Sequence, residues 1–363
     1  MSKDRLLSLD VFRGLTIAAM ILVNDPGSWS YVYRPLLHAK WHGCTPTDLI
    51  FPFFLYMVGM AVSLGKPKTG HDRKLITSKI LKRSLYLFLI GLFLNGFPYF
   101  ELSTFRIPGV LQRIALVFLA IALMHHYFKT RVQIIIGISL LVGYWIIMSF
   151  IPVPGIGEPN LEPETNFAAW FDRLFLSGHM WRLSETWDPE GFLSTLPAVV
   201  TGLLGIFSGK ILFAAENKAQ GLGKIFVLGN VLIGIALAWD MTFPINKSLW
   251  TSSFVLYTGG IAMNFYGILF WLLDIQKYRS KLTFPFEVFG SNAITAYALS
   301  GVLASLFGII SLGDYSIHQV LFDGLVNIFG DNYFASFAYA VGFVTLCYLP
   351  ILILYRKKIF IKV

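Results

Sequence analysis

Residues 47–65 read TDLIFPFFLYMVGMAVSLG, an apolar run whose one charge, Asp48, sits near its start. A helix rises about 1.5 Å per residue, so roughly 20 such residues cross a hydrocarbon core about 30 Å thick. Outward from this stretch, comparable runs lie near 6–24, 84–100, 107–125, 132–150, 192–213, 225–241, 250–273, 286–310 and 333–355. With 47–65 they predict about ten transmembrane helices. Composition points the same way: of 363 residues 56% are hydrophobic and 13% charged, where soluble domains carry about 25% charged residues. The expected fold class is all-α, a polytopic membrane helix bundle forming a single domain over 1–363 and embedded in a lipid bilayer.

The net charge of +9 could suit nucleic acid, but the basic residues lie between apolar runs and not on a basic domain, so no nucleic-acid partner is expected. They mark topology instead. Lys3 and Arg5, the group Lys66, Lys68, Arg73, Lys74, Lys79, Lys82 and Arg83, then Lys129 and Arg131, Lys218 and Lys224, Lys277, Arg279 and Lys281, and Arg356 to Lys358 share one side if the spans alternate. That side is cytoplasmic by the positive-inside rule, which puts both termini inside. The opposite loops carry Glu158, Glu162, Glu164, Glu185, Asp188 and Glu190, then Asp314, Asp323 and Asp331. The first span runs into Asn24, Asp25 and Pro26 with no small-residue cleavage site, so it is expected to stay as a helix. Cys44 falls in a loop and Cys347 in a span, so neither a disulfide nor a metal motif is expected.

A charged side chain at mid-membrane costs about 2.5–3.5 kcal/mol, which makes polar residues inside spans informative. Asp10 and Arg13 share a helical face and can neutralise each other, a structural pair or part of an anion site. Arg106, Gln112 and Arg113 open the fourth span in RIPGVLQR. Asn95, Asn230, Asn264 and Asn292 suit interhelical hydrogen bonding as well as ligand binding. The first outer loop, NDPGSWSYVYRPLLHAKWHGCTPTDL, contains His38 and His42 and ends in a helix start that Thr45 or Thr47 can cap, with Asp48 at the positive terminus. Either histidine could carry a proton near neutral pH, an ordinary structural role being the competing reading. Cys44 is a weaker candidate, as an acyl-carrying nucleophile. The second outer loop begins irregularly, with Pro152, Pro154, Gly155, Gly157, Pro159 and Pro163. It then turns aromatic at Trp170, Phe171, Trp181 and Trp187, which suit either capping of the bundle or stacking on a sugar.

SLDVFRG at 8–14, LVN at 22–24, HAKWHG at 38–43 and TDLIFPFFLYMVG at 47–59 are joined by RIPGVLQRIA at 106–115, WDPEG at 187–191, FPINKSLWTSSF at 243–254 and FGSNAITAY at 289–297. In this order and over nearly the whole chain, they resemble the heparan-alpha-glucosaminide N-acetyltransferase family of transmembrane acyltransferases and its bacterial relatives. The resemblance implies acetyl-CoA as donor, a glucosamine-type amine as acceptor, a homodimer, and a multi-pass protein of the bacterial inner membrane. It also implies that His38 is the active-site residue and that Asn24 matches an asparagine ending the preceding span. His42 stands where the lysosomal member has asparagine, which favours His38. The chain is expected to lack that member's extra first span and large lumenal domain, and with them whatever acceptor specificity they confer.

In the implied reaction His38 removes a proton from the amine, Asp48 orients the imidazole, and Asn24 donates to the developing oxyanion. Direct transfer and a covalent acetyl-histidine both satisfy this reading. The phosphates of CoA call for cations, for which Arg13, Arg106, Arg113 and Lys247 are candidates. Gln112, Asn246, Trp250 and Asn292 are candidates to complete the donor site, and no metal is called for. The alternative function is an amino-sugar or oligosaccharide transporter, since about ten helices with polar centres also describe secondary carriers.

Overall fold

The computed structural model describes residues 6–65 and 73–361. Lys3, Arg5, Lys66 and Lys68 of the charge argument lie outside them. The chain is all-α and polytopic, with a single two-stranded hairpin among the described residues, Ser311–Leu312 with Tyr315–Ser316. Among the same residues eight helices are long and apolar enough to cross a membrane, or nine if one bent pair counts as a span. The expected run at 84–100 falls on a helix, Arg73–Gly96, of 24 residues. Lys74, Lys79, Lys82 and Arg83 in its first half make it less apolar than the other spans. This helix and the bent pair are where the expectation of about ten and the observed count part. By backbone contacts the chain forms two compact units.

The first unit takes in the described residues of Met1–His38, Thr45–Phe51 and Ile268–Val363. Its helices are α1 (Leu7–Asn24), α10 (Phe284–Ser291), α11 (Ala293–Ile309), α12 (Ile317–Phe329) and α13 (Asn332–Arg356). α1 lacks a side-chain cap of its own. Asp274 supplies one, its carboxylate accepting from the backbone N–H groups of Leu7 and Ser8 at 3.1 Å each, which answers orphan donors at the positive end of the helix. α1 and α10 approach backbone to backbone: a Cβ on Gly14 would strike the Phe286 carbonyl oxygen, and one on Gly290 the Asp10 carbonyl oxygen. Leu7, Val11 and Leu273 close the apolar contact beside them. α10 and α11, read in sequence as one run over 286–310, bend by 87° at their junction.

The second unit takes in the described residues of Ala39–Cys44 and Pro52–Gly267. It contains α2 (Ile50–Leu64) from Pro52 onward, α3 (Arg73–Gly96), α4 (Val110–Tyr127), α5 (Thr130–Phe150), the short α6 (Phe167–Leu176), α7 (Thr195–Ala214), α8 (Lys218–Asp240) and α9 (Ser252–Phe270) up to Gly267. Small residues let α2 and α7 meet closely: Gly59 faces the Gly202 carbonyl and Gly205 the Tyr56 carbonyl, the means by which membrane helices gain packing contact. Asn95 on α3 donates to the carbonyls of Arg106 at 2.9 Å and Pro108 at 2.7 Å. It thereby fixes the segment that leads into α4, a bond from helix to loop and not from helix to helix.

Candidate functional site

His38 and Asp48 both lie in the first unit, and the route from sequence to their geometry is short. Thr45-Pro46-Thr47-Asp48 starts a 3₁₀ turn, Pro46–Leu49, that leads into α2. Thr45 and Asp48 form its reciprocal capping box: one carboxylate oxygen of Asp48 accepts from the Thr45 backbone N–H at 2.9 Å and the Thr45 hydroxyl at 3.0 Å. Asp48 Oδ1 meets His38 Nδ1 at 2.6 Å. The carboxylate is 1% exposed and the imidazole 47% exposed. A buried carboxylate that accepts at Nδ1 selects the tautomer protonated there, which makes Nε2 the basic nitrogen. Upstream, a second 3₁₀ turn at Arg34–Leu36 carries the chain towards His38, and Thr47 Oγ1 donates to the Pro35 carbonyl at 3.1 Å. Asn24 ends α1, exposed, and its side chain makes no hydrogen bond among the described residues.

The other nominees of the first unit have partners within it. Arg13 pairs with Asp10 at 3.7 Å and donates to the Gly290 carbonyl at 3.3 Å. Asn292, at the bend between α10 and α11, donates to the Ile359 carbonyl at 3.1 Å and accepts from the Ile361 N–H at 2.8 Å. It thereby ties down the segment after α13.

In the second unit the loop residues 39–44 dock on the turn before α9. Gly43 N–H donates to the Ile245 carbonyl at 2.7 Å, and the Asn246 amide donates to His42 Nδ1 at 3.3 Å. Asn246 also accepts from the Leu249 N–H at 2.8 Å. This turn holds Trp250 in the left-handed region at φ 51°, unusual for a bulky residue and a mark of a conformation its surroundings enforce. Trp250 Nε1 donates to Thr201 Oγ1 at 3.2 Å, and the Arg113 guanidinium stacks on its ring at 5.0 Å. Arg113 is buried and donates through Nη2 to the Gly191 carbonyl and to Ser194 Oγ. Its Nε and Nη1, and Nε2 of Gln112, have no hydrogen-bond partner among the described residues. Trp41 donates to the Leu161 carbonyl at 2.9 Å and sets its edge against Trp187 at 5.2 Å, which in turn meets Trp181 at 5.6 Å.

Arg106 is the hub of an ion network that the sequence did not disclose. It grips Asp188 through Nε at 2.9 Å and Nη2 at 2.6 Å, and reaches Glu190 at 2.6 Å. Burial pushes the Glu190 carboxyl up, but the charges of Arg106, Arg113 and Lys247 outweigh it and hold the group below its ordinary value. Nearby Asp172 accepts from the N–H groups of Phe192 and Leu193 at 3.0 and 3.3 Å. Burial raises its pKa from 3.8 to about 7. Between those values the folded chain binds a proton that the unfolded chain has lost, so stability falls as pH rises from 3.8 to about 7 and then levels. Asp172→Asn keeps an acceptor oxygen without the charge. It is expected to match the wild type near pH 4 and to gain about 1–3 kcal/mol above pH 7, read from melting curves across pH. Equal wild-type and variant curves at all pH values would count against an ionising Asp172.

Within each unit, then, the structure brings together His38 with Asp48, and Trp250 with Arg113, while Asn246 holds the turn that leads to Trp250. Among the described residues no group of three or more His, Cys, Asp or Glu side chains could hold a metal ion. Sequence reasoning quoted WDPEG as a motif but missed Asp188 and Glu190 as site residues. Their signal was two acids close together in the loop before α7, and nothing local names a partner 82 residues away.

A family model described as "Heparan-alpha-glucosaminide N-acetyltransferase, catalytic" matches residues 5–236. The chain is 27% identical over 423 residues to heparan-alpha-glucosaminide N-acetyltransferase of Mus musculus, covering 100% of this chain and 61% of the relative. It is 28% identical over 420 residues to the protein of the same name of Homo sapiens, covering 99% of this chain and 60% of the relative. The chain thus spans about three fifths of the length of these curated relatives. With the family model matching 5–236 out of 363 residues, this chain belongs to the heparan-alpha-glucosaminide N-acetyltransferase catalytic family.

Proposed function

We propose that the protein is a multi-pass transmembrane acetyltransferase of the bacterial inner membrane, moving an acetyl group from cytoplasmic acetyl-CoA to the amine of a glucosamine-type sugar on the outer side. The observation that carries this reading is the 2.6 Å contact between His38 Nδ1 and the buried Asp48 carboxylate. An alkylammonium has no lone pair with which to attack, so a base must take its proton, and Nε2 of the tautomer that Asp48 selects is suited to do so. The amine nitrogen bonds to the acetyl carbon, the C–S bond breaks, and the thiolate takes up the proton that the imidazolium returns. Asp48 stabilises the imidazolium while it exists. Sidedness rests on the basic residues of one set of loops and the acidic residues of the other.

The donor contacts are narrower than the sequence alone implied. Arg13 is balanced by Asp10, and Arg106 by Asp188 and Glu190, so neither charge is uncommitted for a phosphate. Arg113 and Gln112 retain buried donors that suit carbonyl oxygens of the donor, with Asn246, Lys247 and Trp250 as further contacts.

Purified protein in detergent, given acetyl-CoA and glucosamine, is expected to release CoA and form N-acetylglucosamine. Failure with every amino-sugar acceptor, together with accumulation of unmodified sugar in vesicles, would favour a transporter. Asp48→Asn is expected to lower kcat about 10–100-fold with little change in KM and a displaced pH–rate profile, as loss of a positioning residue does. A variant with wild-type kcat and pH profile would remove Asp48 from the mechanism.

A further inference from the structure

α3 carries basic residues to a depth from which a lipid-facing helix would exclude them. It runs antiparallel to α4 in the second unit and is tied to it along its length. Thr77 Oγ1 lies 2.7 Å from the Tyr127 hydroxyl, Ser84 Oγ donates to the Ala115 carbonyl at 2.8 Å, and Asn95 holds the segment that leads into α4. α4 has the length and composition of a membrane span, so α3 passes through the same layer. The Arg83 guanidinium stacks on the Phe118 ring at 4.6 Å, and Phe118 lies midway along the 18 residues of α4. The charge of Arg83 therefore stands near mid-span and has not snorkelled to the inner surface, and at that depth a charge against hydrocarbon is costly.

Arg83 does not stand alone. Lys79 lies three residues before Lys82 and four before Arg83, which puts the three cations on one side of the helix, and all three are exposed. Neither lysine has a hydrogen-bond or ion-pair partner among the described residues, and α3, α4, α5 and α7 contain no Asp or Glu. Tyr86, also exposed, follows Lys82 and Arg83 by four and three residues and offers a ring on which a purine can stack. Cations and an aromatic ring on one face suit the phosphates and base of a nucleotide. The headgroup of a lipid stays at the membrane surface, away from the level of Arg83.

We propose that Lys79, Lys82 and Arg83 bind the phosphate groups of CoA as the acetyl donor enters from the cytoplasmic side. The proposal rests on the reading of the protein as an acetyl-CoA-dependent transferase and deepens it. Arg13 and Arg106 are committed to carboxylates, and this face supplies the charge that the phosphates call for. A cytoplasmic thioester reaches an acceptor on the outer side only if its phosphates follow it into the membrane layer, and Arg83 stands at that depth.

The test is equilibrium binding of CoA, and of pantetheine, which lacks the phosphates and the base, to the purified full chain in detergent. Wild type is expected to bind CoA more tightly than pantetheine, with an affinity for CoA that falls as salt is raised. Each charge-assisted contact is worth about tenfold in affinity. The triple variant Lys79→Gln, Lys82→Gln, Arg83→Gln is therefore expected to weaken CoA binding by on the order of 100-fold or more, with pantetheine binding and melting temperature unchanged. Arg83→Lys, with both lysines in place, should keep most of the affinity. If the triple variant does not fold, Lys79→Gln and Lys82→Gln singly, each at an exposed position, carry the same test at about tenfold. CoA affinity that survives these substitutions, a loss shared equally by pantetheine, or a wild type that binds both alike overturns the proposal. Unchanged CoA affinity with loss of bound anionic phospholipid would assign the face to lipid and overturn it too. Because binding needs no acetyl transfer, selective loss of CoA in a protein that acetylates nothing leaves the subsite standing and removes the enzyme reading. Acetyl transfer by the triple variant with an unchanged KM for acetyl-CoA does the reverse.

Discussion

Replacing His38 by alanine is expected to lower the rate of acetyl transfer by about 10²–10⁴-fold, the usual contribution of a positioned general base. The loss should appear in kcat and in kcat/KM alike, because proton removal matters in the transition state more than in the bound ground state. His38→Ala should melt close to wild type. The imidazole is 47% exposed, and what it leaves behind, the Asp48 carboxylate, still accepts twice from Thr45. His42 provides the internal control. It is exposed and its recorded partner is Asn246 in the second unit, so His42→Ala should retain most of the activity. Comparable losses at both positions would dissolve the assignment of the base to His38.

The second large effect concerns folding. Arg106 is opposed by Asp188, whose side chain is 0% exposed, and Glu190, at 8%. Arg106→Met leaves two carboxylates enclosed with their principal counter-charge removed, a situation that typically costs about 3–5 kcal/mol. The variant is expected to show a large fall in melting temperature and to give little folded protein at neutral pH. Adding Asp188→Asn and Glu190→Gln to it should recover much of the loss, since the charges that needed Arg106 go with it. A single variant within about 1 kcal/mol of wild type would mean that the network is far better solvated than its burial implies.

What could be read in the sequence followed the range of each interaction. Apolar length found the spans, because a bilayer demands it residue by residue. The helix start near Asp48 was visible for the same reason, as a short local signal, although Thr45 and Thr47 both stood as caps until the structure set Thr45 in a capping box with Asp48. The bend between α10 and α11 was not, since a hydropathy window sees only that 286–310 is apolar. Gly290, Ser291 and Asn292 carried the hint as a cluster of turn formers. α3 counted as a span from its second half while the basic residues of its first half went to the loop. Arg106 looked like a ligand for phosphate because the sequence shows its charge and hides Asp188 and Glu190, which only the folded second unit brings to it. Asn292 looked available for the same reason, before the chain beyond α13 was seen to take both ends of its amide.

Transfer across a membrane through His38 is tested most directly in sealed vesicles containing the purified protein, with labelled acetyl-CoA on the side of the basic loops and glucosamine on the other. The account predicts labelled N-acetylglucosamine on the glucosamine side, free CoA on the donor side, and neither with His38→Ala. Unmodified glucosamine accumulating on the acetyl-CoA side, or full product formation by His38→Ala, would contradict it.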